Sequence, residues 1–283
     1  MAHPGSLLDA AFEGQGGGVV LTADGRRHQF GKTDRAVSVA SVSKALFAYA
    51  VMIAVEEGSL ELSCPYGPFG STVRHLLAHA SGVGFTGEEP VCAPGIRRLY
   101  SNYGFDLLGE VLERETQMTA ADYLSAAVFE PLGMKATSLQ GSPAKDVVST
   151  ADDLTRFLAE LLNPTLIDTS THLNFTSVQF ADLAGTVPGI GLFRPNPWGL
   201  GVEIRGAKHP HWTANNNSID TYGHFGGLGS FIWVDPVAAV AMVATNDRRF
   251  GPWALRSWPA LGDAALARFG VTAPQADPVR AGA

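Results

Sequence analysis

The stretch Ala45 to Val55 reads ALFAYAVMIAV, apolar on every side if it is helical. A helix without a polar face cannot lie on a surface and must be enclosed by other elements. With 283 residues, 46% of them hydrophobic and 17% charged, the chain is long and apolar enough to enclose it within one large domain, 1–283. The pattern predicts a helix over 41–57, with Gly58 as its stop. Lys44 stands at the start of that helix, where exposed N–H groups already carry partial positive charge. Enclosure would also strip water from the amine, and both effects lower its proton affinity from the usual ~10.4.

Ser41 lies three residues earlier, on the same helical face. A neutral amine there can take the hydroxyl proton and make Ser41 a nucleophile, while N–H groups at the helix start support an oxyanion. Taken alone, the pattern S-x-x-K also fits Ser41 as an N-cap with Lys44 reaching solvent. A second copy, Ser142 to Lys145, sits in a Gly/Pro loop with no apolar helix behind it, and is read as non-catalytic.

The remaining pattern is coarse but ordered. Residues 6–12 read as a short helix, and GVVLTADGRRHQFG as a hairpin turning at Asp24-Gly25. From 60 to 190 the chain is mostly helical, read as an inserted subdomain. It includes TVRHLLAHASG ending at Ser81-Gly82, NYGFDLLGEVLERET, TAADYLSAAVFEPLG and STADDLTRFLAELLN. Thr150 and Asp153 give the last of these a capping signature. Strand-like runs follow in WGLGVEIR, GSFIWVD and VAAVAMVAT, then a helix near 252–268 and a flexible Pro/Ala-rich tail, 270–283. Strands at both ends around a helical block predict an α/β (α+β) fold: one antiparallel sheet built from both chain ends and flanked by helices.

Two further clusters carry chemistry. Tyr100-Ser101-Asn102 precedes an amphipathic helix; Ser101 or Asn102 suits an N-cap and Tyr100 a staple. Alternatively Tyr100 is a general acid/base beside a cation that favours its phenolate, and Asn102 orients Lys44 or a substrate amide. His224-Phe225-Gly226-Gly227 opens a later strand, where glycines let a ligand approach the backbone.

S-x-x-K at a buried helix start, then Y-x-N, then H-x-G at a strand, resembles the penicillin-recognising serine hydrolases. The branch it resembles is that of class C β-lactamases, D-stereospecific peptidases and family VIII esterases. RHLLAHASGVG, PWGLGVEI and GGLGSFIWVDP extend the likeness in order over about 17–246. The resemblance implies a β-lactamase/transpeptidase-like fold, with Ser41 as nucleophile, Lys44 as base or proton relay and Tyr100 sharing the proton work. Asn102 would contact substrate or Lys44, and His224 would hold the third-motif position. Gly226 and Phe225 would flank the substrate, and the N–H groups of Ser41 and Gly227 would form the oxyanion hole. No cofactor and no metal are implied; His209 and His211 form H-x-H without a further ligand.

Two departures bear on substrate. The interval from Ser41 to Tyr100 is short for this branch, and the third motif carries His224 where class C β-lactamases carry lysine. A histidine is mostly neutral at pH 7, so a substrate carboxylate loses its partner. The expectation is an acyl-enzyme hydrolase of small to medium esters, acyl transfer to another alcohol included. Phe85, Trp198, Tyr222 and Phe225 are expected to line its cleft. The alternatives are a D-stereospecific amidase or peptidase, a β-lactamase or DD-peptidase, and a non-catalytic binding protein on the same fold. A net charge of -7 argues against nucleic acid and anionic membrane partners. No export signal is read at the N-terminus, so the expected location is cytoplasmic. Cys64 and Cys92 are either free thiols or one bridge, and oligomeric state is left open.

Overall fold

The N-terminal strand β1 (Gly17–Thr22) turns through Gly25, at φ +86°, into β2 (Arg27–Gly31), as the hairpin pattern predicts. The computed structural model describes residues 16–87 and 89–270; the helix expected at 6–12 and the tail from 271 lie outside them. After β3 (Val37–Ser38), a single 3-10 turn, Ala40–Val42, leads into helix α1 (Ser43–Glu56). Gly58, at φ +77°, ends it. Then come α2 (Val73–Leu77), α3 (Tyr103–Thr116) and α4 (Ala120–Leu124), the last running into a π-turn at Ser125–Phe129. Strands β4 (Ser138–Leu139) and β5 (Val147–Ser149) precede α5 (Ala151–Leu162) and α6 (Thr169–Thr176). The remainder is β6 (Gly185–Val187), β7 (Gly191–Phe193), β8 (Glu203–Ile204), β9 (Tyr222–Phe225), β10 (Phe231–Asp235), β11 (Val240–Thr245) and α7 (Pro252–Phe269).

The main sheet runs β2-β1-β11-β10-β9-β8, every pair antiparallel, so the two chain ends meet at β1 and β11. Its central strands are buried on both faces, and their alternation sorts side chains into two cores. Val19, Leu21, Ile232, Val234, Ala241 and Val243 face the core built around α1. Val20, Phe231, Trp233, Val240, Met242 and Ala244 face Trp258, Leu261 and Ala265 of α7. The apolar stretch of α1 is enclosed as its pattern requires: Ala45 to Ala54 are all buried.

Several local expectations shift. The helix predicted to reach Ser81 stops at Leu77, because His79 adopts the left-handed region, φ +54°. WGLGVEIR yields only the two residues of β8, and a small sheet, β3-β5-β4, draws two of its strands from the stretch read as mostly helical. Within the stretch 60–190, α5 packs on β1, β10 and β11, against the main sheet. The Thr150 hydroxyl accepts the Asp153 N–H as a cap, but the Asp153 carboxylate turns to the Ala136 N–H and Thr137 hydroxyl. Cys64 and Cys92 are free thiols.

Arg98 and Gly201 bring the site together. The buried Arg98 guanidinium donates to the carbonyls of Ala78, Asn196, Gln179 and Phe180, tying three segments to the run that leads into Tyr100. Gly201, at φ +88°, lies against α1 so closely that a Cβ would sit 2.2 Å from that of Ala48. Gly201→Ala combines overpacking with left-handed strain and is expected to lower stability by about 3 kcal/mol. A urea unfolding midpoint unchanged from wild type would contradict this packing.

Candidate active site

Ser41 sits on the 3-10 turn between β3 and α1, and three contacts hold that turn. The Val39 N–H donates to the Val147 carbonyl at 3.0 Å. The Ser43 hydroxyl donates to the Ala40 carbonyl at 2.5 Å and accepts the Val147 N–H at 3.0 Å. Gly226 at the end of β9 lies flush against the turn: a Cβ there would be 2.2 Å from the Val39 carbonyl. Ala40 itself is left-handed, φ +47°, strain of the kind the surrounding contacts must over-determine. Gly226, read from sequence as a surface for substrate, is thus filled by the protein's own backbone. Gly227 is the open one: apart from its own residue and its two chain neighbours, no atom lies within 4 Å of the position a Cβ would take.

The Lys44 amine is fully buried. It donates to the Asn102 side-chain oxygen at 2.6 Å and to the Ala144 carbonyl at 2.7 Å. It also lies 4.8 Å from the centre of the Tyr100 ring. Burial, partly offset by Asp106 and reinforced by Lys145, brings its pKa down to about 7. A neutral amine has two N–H groups, and two acceptors are present; its lone pair is left to point elsewhere. Asn102 therefore does not cap α3 with its side chain. The Ser101 hydroxyl takes that part, accepting the Gly104 N–H at 2.8 Å.

Tyr100 is pinned on both sides by His79, a residue the sequence reading passed over. The His79 carbonyl accepts the Leu99 N–H at 2.8 Å, and its Nδ1 accepts the Ser101 N–H at 3.2 Å. Burial raises the Tyr100 pKa, and a hydrogen bond from Ser41 only partly offsets that. The expectation of a phenolate is overturned: water is excluded and the neighbouring amine is not a full cation, so Tyr100 is a phenol at neutral pH.

His224 Nδ1 lies 2.8 Å from the Phe225 carbonyl, which can only accept; the proton is therefore on Nδ1 and Nε2 is a bare acceptor. Burial, then the charge of Lys44, takes its pKa down to about 3. Ser41, Phe85, Tyr100, Trp198, His224, Phe225 and Gly227 line one cleft of about 250 Å³, together with Val187, Pro188, Gly189, Glu203 and Phe250. Lys44 and Asn102 are not part of that lining; they meet each other beside the Tyr100 ring. Tyr222 is absent from the cleft: its hydroxyl turns to the Leu161 carbonyl at 3.0 Å.

Residues 8–266 match the Beta-lactamase family. The chain belongs to that family. A solved beta-lactamase from Mycobacterium bovis is 45% identical, with a TM-score of 0.92 over 95% of this chain and 100% of that one. Penicillin-binding protein 4* of Bacillus subtilis (strain 168) is 28% identical over 42% of this chain, and the matched part spans only 37% of that protein. Simvastatin synthase from Aspergillus terreus shares the fold at 16% identity, with a TM-score of 0.76, over 95% of this chain and 99% of that one. The chain is accordingly a member of a beta-lactamase-fold family of serine hydrolases.

At the wall of the cleft, Glu203 anchors a buried polar cluster that the sequence reading missed. Its carboxylate accepts from Lys208 Nζ at 2.6 Å and Trp212 Nε1 at 2.7 Å, with His211 Nε2 at 3.1 Å. Burial alone would raise its pKa, but Lys208 and His211 outweigh burial and hold it well below the carboxylate range. A charged residue in the apolar run WGLGVEIR was the available signal. His211 is occupied by this cluster, and no group of three or more metal-ligating side chains occurs among the described residues. No helix among the described residues is long and apolar enough to cross a membrane.

The Lys44 shift has a thermodynamic signature. Between about 7 and 10.5 the unfolded chain binds a proton that the folded chain does not, so Lys44's contribution to stability rises with pH across that window. Between pH 7 and 9.5, urea unfolding should show wild type gaining roughly 3 kcal/mol relative to Lys44→Met. Parallel stability curves would place the amine near its ordinary value.

Proposed function

We propose that the protein is a serine esterase that transfers an uncharged, largely apolar acyl group through Ser41 to water or another alcohol. The observation that carries this reading is His224: a neutral acceptor stands where a cation would be needed to hold a substrate carboxylate. The walls of the cleft, Phe85, Val187, Pro188, Trp198, Phe225 and Phe250, suit a hydrocarbon or aryl acyl chain.

In the first step Ser41 Oγ attacks the ester carbonyl and its proton passes to Lys44, with the Tyr100 hydroxyl as the shared relay. The tetrahedral oxyanion is received by the N–H groups of Ser41 and Gly227. The same proton then returns through Tyr100 to the leaving alcohol, and the acyl-enzyme forms. Water or a second alcohol repeats the sequence in reverse roles. Because Lys44 must start neutral, kcat/KM is expected to rise with pH through about 7.

Intact mass after brief mixing with p-nitrophenyl butyrate, with nitrophenol read in the same tubes, tests the reading. Wild type should release nitrophenol and Ser41→Ala should not. The Mycobacterium bovis relative is called a beta-lactamase, so benzylpenicillin is the second arm. A penicilloyl adduct or hydrolysed penicillin, lost in Ser41→Ala, would replace the esterase reading with a penicillin-recognising one. Chain length gives a further check. Gly189 and Phe250 both line the cleft and lie against each other, a Cβ on Gly189 falling 2.9 Å from Phe250 Cε1. Phe250→Ala should move the preferred p-nitrophenyl ester to longer chains; an unchanged profile would place the acyl group elsewhere.

A further inference from the structure

The second S-x-x-K copy, Ser142 to Lys145, lies directly behind the catalytic one. Its Ala144 carbonyl is one of the two acceptors on the Lys44 amine, across 100 residues of sequence. The other acceptor, Asn102, is one turn before Asp106 on α3. The Ser142 hydroxyl bridges these two supports: it donates to Asp106 Oδ1 and accepts the Ala144 N–H at 3.1 Å. The loop is closed on its far side by Asp146, whose carboxylate accepts the Ser142 N–H at 2.9 Å.

We propose that Ser142 and Asp106 form a clasp that locks the Ala144 carbonyl onto Lys44 and so aims the amine at Ser41. Both are positioning residues. Neither touches the cleft; they act through Ala144 and Asn102. The proposal rests on Ser41 and Lys44 being the nucleophile and its base. Without the clasp the carbonyl is free to leave, and a displacement of the amine by even an ångström costs up to about a hundredfold in rate. The clasp also sets charge. Asp106 and Lys145 face the amine from opposite supports, while His79, His224 and Tyr100, its other titratable neighbours, are held uncharged.

The test is the rate of Ser41 labelling by an alkyl fluorophosphonate across pH, which needs no knowledge of the substrate. In that reaction the Ser41 Oγ–P bond forms, the P–F bond breaks, fluoride leaves and the serine proton goes to Lys44. Ser142→Ala should slow labelling about tenfold or more, and Ser142→Thr, which keeps the hydroxyl, should restore most of it. Asp106→Asn should move the acid limb of the rate to lower pH and Lys145→Gln to higher pH, since they remove charges of opposite sign. A wild-type rate in Ser142→Ala, or limbs that shift together, would overturn the clasp. Variants with reduced thermal stability are compared with Thr116→Val, which loses a remote hydrogen bond to the Leu112 carbonyl. A slowing matched by that control at equal stability would likewise overturn it. Absence of any labelling in wild type would instead overturn the assignment of Ser41.

Discussion

Withholding water from one lysine is the constraint on which the rest of the structure depends. Lys44 sits at the start of a helix whose next ten residues are buried, so its amine gives up a proton far more readily than it would in water. That condition explains the supports around it. Asn102 and the Ala144 carbonyl satisfy its N–H groups, Tyr100 and Phe105 cover it with aromatic rings, and the neighbouring histidines are kept uncharged. The arrangement opposes stability below pH 10.5, a cost that the proposed role of Lys44 as a base poised near neutrality would account for.

The machinery is gathered from distant parts of the chain onto a rigid frame. The turn carrying Ser41 is fixed between β5 and the end of β9; Tyr100 is fixed by His79, and the run before it by Arg98. The Gly227 carbonyl accepts the Phe250 N–H at 3.0 Å, which holds the open Gly227 segment against the loop after β11. The two-sided sheet makes this possible, because strands buried on both faces cannot slip register without exposing a core.

Much of this was legible in sequence where a local rule was broken. A cation at the head of an apolar helix pointed to Lys44 and Ser41, and the strands at both chain ends pointed to an antiparallel sheet joining them. What stayed hidden depended on contacts between segments far apart in sequence. The short sheet β3-β5-β4 has too few residues for periodicity to register. His79 reads as part of a helix until its left-handed backbone is seen. Tyr100 looked like a phenolate because the sequence shows its cationic neighbour but not the exclusion of water. The second S-x-x-K was read as non-catalytic, and its carbonyl contact with Lys44 spans 100 residues and leaves no local trace. Tyr222 fits the aromatic composition of the cleft and shares a sheet face with His224, but it stands two residues back along β9, where its hydroxyl turns to the Leu161 carbonyl.

The most direct measurement is an NMR titration of the protein labelled with 13C at lysine Cε, with the Lys44 resonance assigned by its loss in Lys44→Met. A midpoint near 7 for that one resonance is the result the account predicts. A midpoint near the ordinary ~10.4 would show a charged amine at rest, and Lys44 could not then be the base that activates Ser41.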